Sequence, residues 1–126
     1  MSMRTPLGRV RGLGSARDGT GHFWRQRVTA VANVPLTLFL VVSIIAHVGA
    51  GYEEMRAFVA QPLVAVLFLA LVASAVVHMR LGMQVIIEDY VHGEGLKFAC
   101  IMANTFFAAA VGLGAGFAIL KIGFGG

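Results

Sequence analysis

Three long apolar runs, separated by short polar segments, dominate the pattern of this chain. They extend over about residues 28–50, 59–83 and 96–120. Each exceeds the roughly 20 residues that an α-helix needs to cross the ~30 Å hydrocarbon core of a bilayer. Because backbone groups in hydrocarbon must form their hydrogen bonds within the segment, the runs predict transmembrane helices. The predicted fold is an all-α membrane protein, with a single transmembrane anchor domain over residues 1–126.

The composition agrees with this pattern. Hydrophobic residues make up 58% of the 126 residues and charged residues only 13%, which is more apolar surface than a soluble domain of this size can bury. The chain has one cysteine, Cys100. This excludes a disulfide framework and also a metal site built from several cysteines. Gly93 and Gly95, between the second and third runs, are typical of a helix stop.

Positive charge is concentrated at the N-terminal end, although the net charge is only +4. The basic segment, residues 1–27, contains six arginines, which are Arg4, Arg9, Arg11, Arg17, Arg25 and Arg27. Such a cluster can indicate nucleic acid binding, but beside a transmembrane helix it is more simply a topology signal, because basic residues favour the cytoplasmic side. In the first loop, by contrast, the one basic residue, Arg56, is accompanied by two acidic residues, Glu53 and Glu54. We therefore expect a cytoplasmic N-terminus and second loop, an external C-terminus and no nucleic acid partner.

Small residues recur along the third predicted helix at Ala108, Gly112 and Gly116. This spacing of four permits close backbone approach to another helix. Glycine is frequent in membrane helices generally, so the pattern alone leaves open whether these positions are a packing surface. Three helices offer little room for a cofactor, which favours a partner subunit.

Ionisable side chains within membrane helices are costly and often mark function. Two histidines qualify: His47 lies about 5 Å from the outer end of the first helix, and His78 about 28 Å from the outer face along the second. A separation of more than ~20 Å along the membrane normal prevents both from binding one haem or metal ion. A second ligand for His78 would have to come from another chain. Since a lone helical histidine is more often hydrogen-bonded than metal-bound, both interpretations stay open, and we interpret His47 as an interfacial polar residue.

His78 begins a stripe along one helical face. Gly82, Val85 and Asp89 follow at i+4, i+7 and i+11, and Tyr90 adjoins Asp89. Gly82 would leave space for a flat macrocycle beside His78. A phenol can donate a hydrogen bond to a quinone carbonyl, and a carboxylate can relay protons. From spacing alone, a solvated helix end is the simpler explanation of the acid and the phenol, and the quinone interpretation stays open beside it.

The pattern H-x3-G-M-x5-D-Y, formed by His78, Gly82, Met83, Asp89 and Tyr90, closely resembles the small hydrophobic membrane-anchor subunits of succinate dehydrogenase, respiratory complex II. The block GMQVIIEDYVH is especially similar to ubiquinone-using members, and GSARDGTGHFWRQRVTA to the segment before that family's first helix. The resemblance spans most of the chain and is only compositional in the third helix. It implies three transmembrane helices that pack with a partner cytochrome b subunit.

The resemblance implies roles for five residues. His78 corresponds to an axial ligand of haem b, whose other axial histidine belongs to the cytochrome b subunit. Tyr90 corresponds to the tyrosine that hydrogen-bonds a ubiquinone carbonyl, and Asp89 to the aspartate that supports quinone protonation. His22 and Arg27 lie where family members place groups near the haem propionates, a site where arginine–carboxylate pairing makes chemical sense.

The implied function is that of an anchor in succinate:ubiquinone oxidoreductase of the bacterial inner membrane, an enzyme of the tricarboxylic acid cycle and the aerobic respiratory chain. The flavin and the iron–sulfur clusters belong to two further subunits, so this chain is expected to hold neither flavin nor succinate, and no catalytic residue. Two alternatives are an anchor of a quinol:fumarate reductase and a non-catalytic membrane scaffold. We expect Arg80 to extend toward the cytoplasmic face and Trp24 to act as an interfacial anchor, while His92 has no assigned role.

Overall fold

The computed structural model describes residues 5–12 and 18–125, and its order of elements is entirely helical over that part of the chain. The helices are α1 (Pro6–Val10), α2 (Asp18–Ala46), α3 (Tyr52–Ala60), α4 (Pro62–Tyr90) and α5 (Glu94–Gly123). Of these, α2, α4 and α5 are long and apolar enough to cross a membrane, which confirms the predicted all-α membrane fold. Helix α4 is central, because α2 and α5 both pack against it.

The long helices do not have the bounds that the apolar runs predicted. Helix α2 begins at Asp18 instead of residue 28, and α4 continues through Tyr90 instead of ending near residue 83. An apolar run marks where side chains meet hydrocarbon, whereas a helix continues as long as its backbone hydrogen bonds do. Helix α2 also ends earlier than predicted, at Ala46, and Gly49 follows with a φ of 84°. Glycine adopts this left-handed conformation without steric cost.

Part of the basic segment, residues 1–27, lies outside the described residues. Arg4 and Arg17 are among these, and so are residues 14–17, which begin the N-terminal stretch on which the family resemblance partly rested. The remaining residues of that stretch belong to α2. The basic segment is therefore continuous with the first membrane-spanning helix from Asp18 onward.

The first loop contains a short helix that the apolar pattern did not predict. Helix α3 begins after Gly51, and Glu53 and Glu54 stand in its first turn, where negative charge is favourable at a helix N-terminus. Gln61 then adopts an extended conformation, and Pro62 opens α4 at a first-turn position where its missing N–H costs no hydrogen bond. A helix this short has no long apolar run, so a search for membrane spans misses it.

His47 joins three helices through aromatic contacts. Its ring centroid lies 4.2 Å from that of Phe58 in α3, and Phe58 meets Phe68 of α4 edge-on at 6.3 Å. The Nδ1–H of His47 donates to the carbonyl oxygen of Ser43 at 2.8 Å. His47 therefore has a packing role just after the C-terminal end of α2, where it contacts α3.

The small residues of α5 face α4 within this chain. Ala108 is only 1% exposed. A Cβ built on Gly112 would lie 3.5 Å from Val76, and one on Gly116 would lie 4.0 Å from Leu69. Ala108, Gly112 and Gly116 therefore form a packing surface within this chain. The sequence left open whether these positions pack against another helix, and their contacts with α4 show that they do.

Arg80 is also held at the interface of α4 and α5. Its Nε donates to Oγ1 of Thr105 at 3.2 Å, and Nδ2 of Asn104 donates to the Arg80 carbonyl oxygen at 3.0 Å. The side chain is thus bound sideways to the neighbouring helix, in place of the expected extension toward the cytoplasmic end of α4.

Candidate functional site

His78 lies on α4 with its ring against α2, and its hydrogen bond defines its tautomer. Nδ1 of His78 lies 3.2 Å from Oγ1 of Thr29. The Thr29 hydroxyl lies 2.7 Å from the carbonyl oxygen of Arg25 and 3.1 Å from that of Gln26, so its single proton is directed into its own helix. The hydroxyl oxygen therefore accepts from the Nδ1–H of His78. In the neutral ring this leaves Nε2 with a free lone pair, the form that binds a metal ion.

A second hydrogen bond fixes α2 against α4 one turn away from His78. Oγ of Ser74 donates to the carbonyl oxygen of Thr29 at 3.1 Å. Thr29 therefore binds α4 twice, through its side chain and through its backbone. This pair of bonds sets the height of His78 relative to α2.

A cleft of about 380 Å³ adjoins His78 between α2 and α4. Its lining residues are Gly19, His22, Phe23, Gln26, Arg27, Ala30, His78 and Val85. The structure therefore brings together three residues that the sequence analysis placed around a haem, namely His22, Arg27 and His78. Its walls are formed by two helices, α2 and α4.

Two polar atoms of the cleft are buried without a hydrogen-bond partner among the described residues. They are Nε2 of His22 and Oε1 of Gln26. Leaving such a group unpaired costs about 1–3 kcal/mol, so these atoms call for a partner beyond the described residues. The guanidinium of Arg27 is exposed beside them and lies 4.9 Å from the ring centroid of Phe23. An imidazole N–H and a guanidinium are suitable donors for carboxylates, and this donor set fits the propionates of a haem.

The polar surface continues from the cleft toward the end of α4. A second depression, of about 310 Å³, shares His22 and Val85 with the cleft and adds Gln84 and Glu88. Nε2 of Gln84 donates to Oε1 of Glu88 at 2.8 Å. Glu88, which the sequence analysis did not single out, is therefore the acidic residue that borders this region.

Asp89 and Tyr90 do not line the cleft. Both are exposed on the last turn of α4, and Tyr90 is 76% exposed. Because α4 is continuous from His78 to Tyr90, the predicted stripe does lie on one helix, and Asp89 stands about 16 Å beyond His78. The contacts of this chain alone do not join the acid and the phenol to His22 and Arg27.

Gly82 faces the side chain of Gln26 on α2, a residue that lines the cleft. A Cβ at this position would lie 3.4 Å from Nε2 of Gln26. Glycine here lets the two helices approach closely around the Gln26 side chain. Gly82 thus has a role in helix packing, and its making room for a macrocycle stays a prediction.

Thr29 and Gln26 are the site residues that the sequence analysis missed. Gln26 precedes the predicted start of the first apolar run at residue 28, and Thr29 lies one residue after that start. At the end of a predicted helix, neither residue could be assigned to a helix face. Their spacing of three residues on one helix, beside His22 and Arg27, was the available signal.

Comparison with known proteins gives one family. Residues 1–112 match the family described as succinate dehydrogenase/fumarate reductase transmembrane subunit. The succinate dehydrogenase hydrophobic membrane anchor subunit of Paracoccus denitrificans is 33% identical over 121 residues, covering 96% of this chain and 93% of that protein. The corresponding subunit of Rickettsia bellii is 30% identical over 105 residues, covering 83% and 84%. The succinate dehydrogenase membrane anchor subunit of Reclinomonas americana is 31% identical over 88 residues, covering 68% and 73%. No solved structure matches the chain.

Proposed function

This chain belongs to the succinate dehydrogenase/fumarate reductase transmembrane subunit family, and on that premise we propose that it anchors a succinate:ubiquinone oxidoreductase in the bacterial inner membrane. Helices α2, α4 and α5 supply the membrane anchor. A cytochrome b subunit packs beside them. A flavoprotein subunit and an iron–sulfur subunit attach on the cytoplasmic side, where succinate is oxidised.

In this proposal Nε2 of His78 would hold the iron of haem b. The observation that carries the role is the hydrogen bond from Nδ1 to Thr29, which leaves Nε2 free. His22 stands on α2 about 10 Å from the level of Thr29, and His47 about 27 Å in the other direction. His92 follows the end of α4, about 18 Å beyond His78. All three distances exceed the span of two metal–nitrogen bonds, so a second iron ligand would come from the cytochrome b subunit. Haem b, when bound, supplies a one-electron redox centre within the membrane.

His22 and Arg27 bind the haem propionates in the proposed site. The unpartnered Nε2 of His22 and the exposed guanidinium of Arg27 lie in the same cleft as His78. Both stand on the amino-terminal side of Thr29, where α2 leaves the apolar run. Charge-assisted hydrogen bonds from these two residues to carboxylates would be strong there, and the acids would not need to be buried in hydrocarbon.

Tyr90 and Asp89 contribute to the ubiquinone site. The Tyr90 hydroxyl donates a hydrogen bond to a quinone carbonyl, and Asp89 relays protons from water as ubiquinone takes up two electrons and two protons. Their exposure on the last turn of α4 supports this role, because a quinone headgroup must meet them from outside the chain. The remaining walls of the quinone site come from the partner subunits.

The test is the reduced-minus-oxidised absorbance spectrum of the purified complex carrying His78→Ala. We expect the haem b signal to be lost, because alanine supplies no ligand, while the other subunits still copurify. His47→Ala is the matched control and should leave the spectrum unchanged. An unaltered spectrum of the His78→Ala complex would refute the ligand assignment. The same result is expected if the chain is a non-catalytic scaffold.

A further inference from the structure

Arg80 is the one charged side chain within the apolar spans of this chain. Residues 28–46 of α2, 62–87 of α4 and 98–120 of α5 contain no other Asp, Glu, Lys or Arg. A charged side chain inside a membrane helix is costly and by default marks function. The proposed haem and quinone sites make no use of this charge.

Two hydrogen bonds hold Arg80 in the interface of α4 and α5. Its Nε donates to Oγ1 of Thr105 at 3.2 Å, and its carbonyl oxygen accepts from Nδ2 of Asn104 at 3.0 Å. An arginine side chain is long enough to extend from the apolar region toward water. The bond to Thr105 instead keeps the guanidinium at the depth of its own helical turn, half-buried between the two helices.

The positive charge of Arg80 has no counter-ion among residues 5–12 and 18–125. No carboxylate of that part of the chain lies within ion-pair distance of its guanidinium. Glu88 follows eight residues later on α4, and Glu94 precedes Thr105 by eleven residues on α5, so both stand at least ~12 Å away along the helices. The hydroxyl of Thr105 is neutral, and its hydrogen bond therefore leaves the charge in place.

Arg80 lies at nearly the same depth as His78. It follows His78 by two residues on one helix, so the two Cα atoms differ in height by about 3 Å and their side chains leave the helix about 200° apart. The ring of His78 contacts α2, whereas the guanidinium of Arg80 contacts α5. One helix width therefore separates the charge from the side of α4 that carries Nε2 of His78.

We propose that Arg80, held at the depth of His78 by Thr105, raises the midpoint potential of haem b through its positive charge. The inference rests on the proposed function, because it needs a haem b beside α4. A fixed positive charge stabilises the reduced form of a neighbouring redox group, since that form carries one more electron. The effect is strong inside a membrane protein, where the dielectric constant is low and salt does not screen the charge.

The expected size of the effect follows from Coulomb's law. Two unit charges separated by the width of a helix, at an effective dielectric constant of about 20, change an equilibrium about three- to tenfold. For a one-electron couple this change corresponds to about 30–60 mV in midpoint potential. A redox titration resolves a difference of this size.

Redox titration of the haem absorbance in the purified complex tests the proposal with Arg80→Gln. Glutamine keeps an N–H for Thr105 and removes the charge. We expect the midpoint potential to fall by about 30–60 mV, with unchanged absorbance maxima because the iron ligands are intact. Arg80→Lys keeps the charge and should keep the potential, as should Lys121→Gln, which removes a positive charge at the other end of α5. An unchanged potential in Arg80→Gln would overturn the proposal.

A second pair of variants leaves Arg80 in place. Thr105→Glu puts a carboxylate beside the guanidinium and cancels its charge, so we expect the midpoint potential to fall as it does in Arg80→Gln. Thr105→Gln has the same length and an amide oxygen that accepts from Nε, but no charge, and should keep the potential. Equal potentials in the two Thr105 variants would overturn the proposal.

These outcomes are separable from a failure of the haem assignment. If His78→Ala loses the haem while Arg80→Gln keeps the original potential, the ligand assignment stands and the role of Arg80 is wrong. If His78→Ala keeps its haem spectrum while Arg80→Gln lowers the potential, the ligand assignment is wrong and the role of Arg80 stands. An unaltered complex that shows no haem spectrum would overturn both.

Discussion

The hydroxyl of Thr29 determines which nitrogen of His78 is free. It accepts from Nδ1–H at 3.2 Å and donates into its own helix at 2.7 Å. A hydroxyl has one proton, so with that proton directed to the carbonyl oxygen of Arg25 the bond favours the tautomer of His78 in which Nδ1 carries the hydrogen. Thr29, which is not part of the H-x3-G-M-x5-D-Y pattern, thereby leaves Nε2 of His78 free to bind a metal ion.

Thr29→Val is the sharpest test of this arrangement, because valine has nearly the same shape and no hydroxyl. We expect haem affinity to fall about ten- to a hundredfold, the usual loss when the partner of a ligating histidine is removed. Thr29→Ser keeps the hydroxyl and should retain the haem. The measurement is haem per complex after titration. Equal haem content in the two variants would show that the hydrogen bond does not orient His78.

Tyr90→Phe tests the quinone role at the end of α4. We expect ubiquinone reduction to slow by roughly tenfold or more, since the phenol proton is lost, while succinate oxidation by an artificial acceptor is unchanged. Tyr52→Phe is a matched control, because Tyr52 and Tyr90 are both 76% exposed and Tyr52 lies at the start of α3. Equal loss of both activities in Tyr90→Phe would contradict a quinone role.

At the scale of elements, close approach of helices depends on a few small residues. Gly82 accommodates Gln26 between α2 and α4, and Gly112 accommodates Val76 between α4 and α5. These contacts hold α4 between its two neighbours. The position of His78 against Thr29 follows from that packing.

Substitution of Gly112 by leucine should destabilise the α4–α5 pair. The added side chain would meet Val76 at the helix interface, and overpacking of this kind costs about 1–3 kcal/mol. Gly114→Leu is the control, because a Cβ at Gly114 meets nothing within 4 Å. Detergent-induced unfolding, followed by circular dichroism, measures the difference. Similar unfolding of both variants would show that the small residues do not limit the packing.

At the scale of the whole molecule, charge differs between the two ends of the helix bundle. Arg25 and Arg27 stand near the start of α2, and Lys97 near the start of α5. At the opposite end Arg56 is 3.8 Å from Glu53 and donates to the carbonyl oxygen of Gly125 at 3.1 Å. Glu88, Asp89 and Glu94 also lie at the first end, and Lys121 lies at the other. The positive-inside rule counts Lys and Arg instead of net charge, and it assigns the arginine-rich end to the cytoplasm.

Reporter fusions test this topology. Alkaline phosphatase is active only outside the cytoplasm, so we expect activity when it is fused after Gly125 and none when it is inserted between Gly93 and Gly95. A fluorescent protein that folds only in the cytoplasm should give the opposite pattern. Activity at the Gly93–Gly95 position would show that the orientation is reversed.

The sequence by itself determined the membrane helices and the class of protein. Length and apolarity are properties of consecutive residues, so α2, α4 and α5 were visible as runs without knowledge of any contact. The stripe from His78 to Asp89 follows in the same way, because spacing along one helix defines a face. The hydropathy pattern did not predict the short α3 or the full length of α2, because backbone hydrogen bonds set the ends of these helices and hydropathy does not record them.

Only the tertiary structure decided which residues meet. Thr29 and His78 are 49 residues apart in sequence, and their contact depends on the rotation and height of α2 against α4. The same packing places His22 and Arg27 in the cleft beside His78, turns Gly82 toward Gln26 and directs Gly112 onto Val76. A helical pattern fixes the faces of one helix but not which face a neighbour covers, since that choice is made by side-chain packing between distant segments.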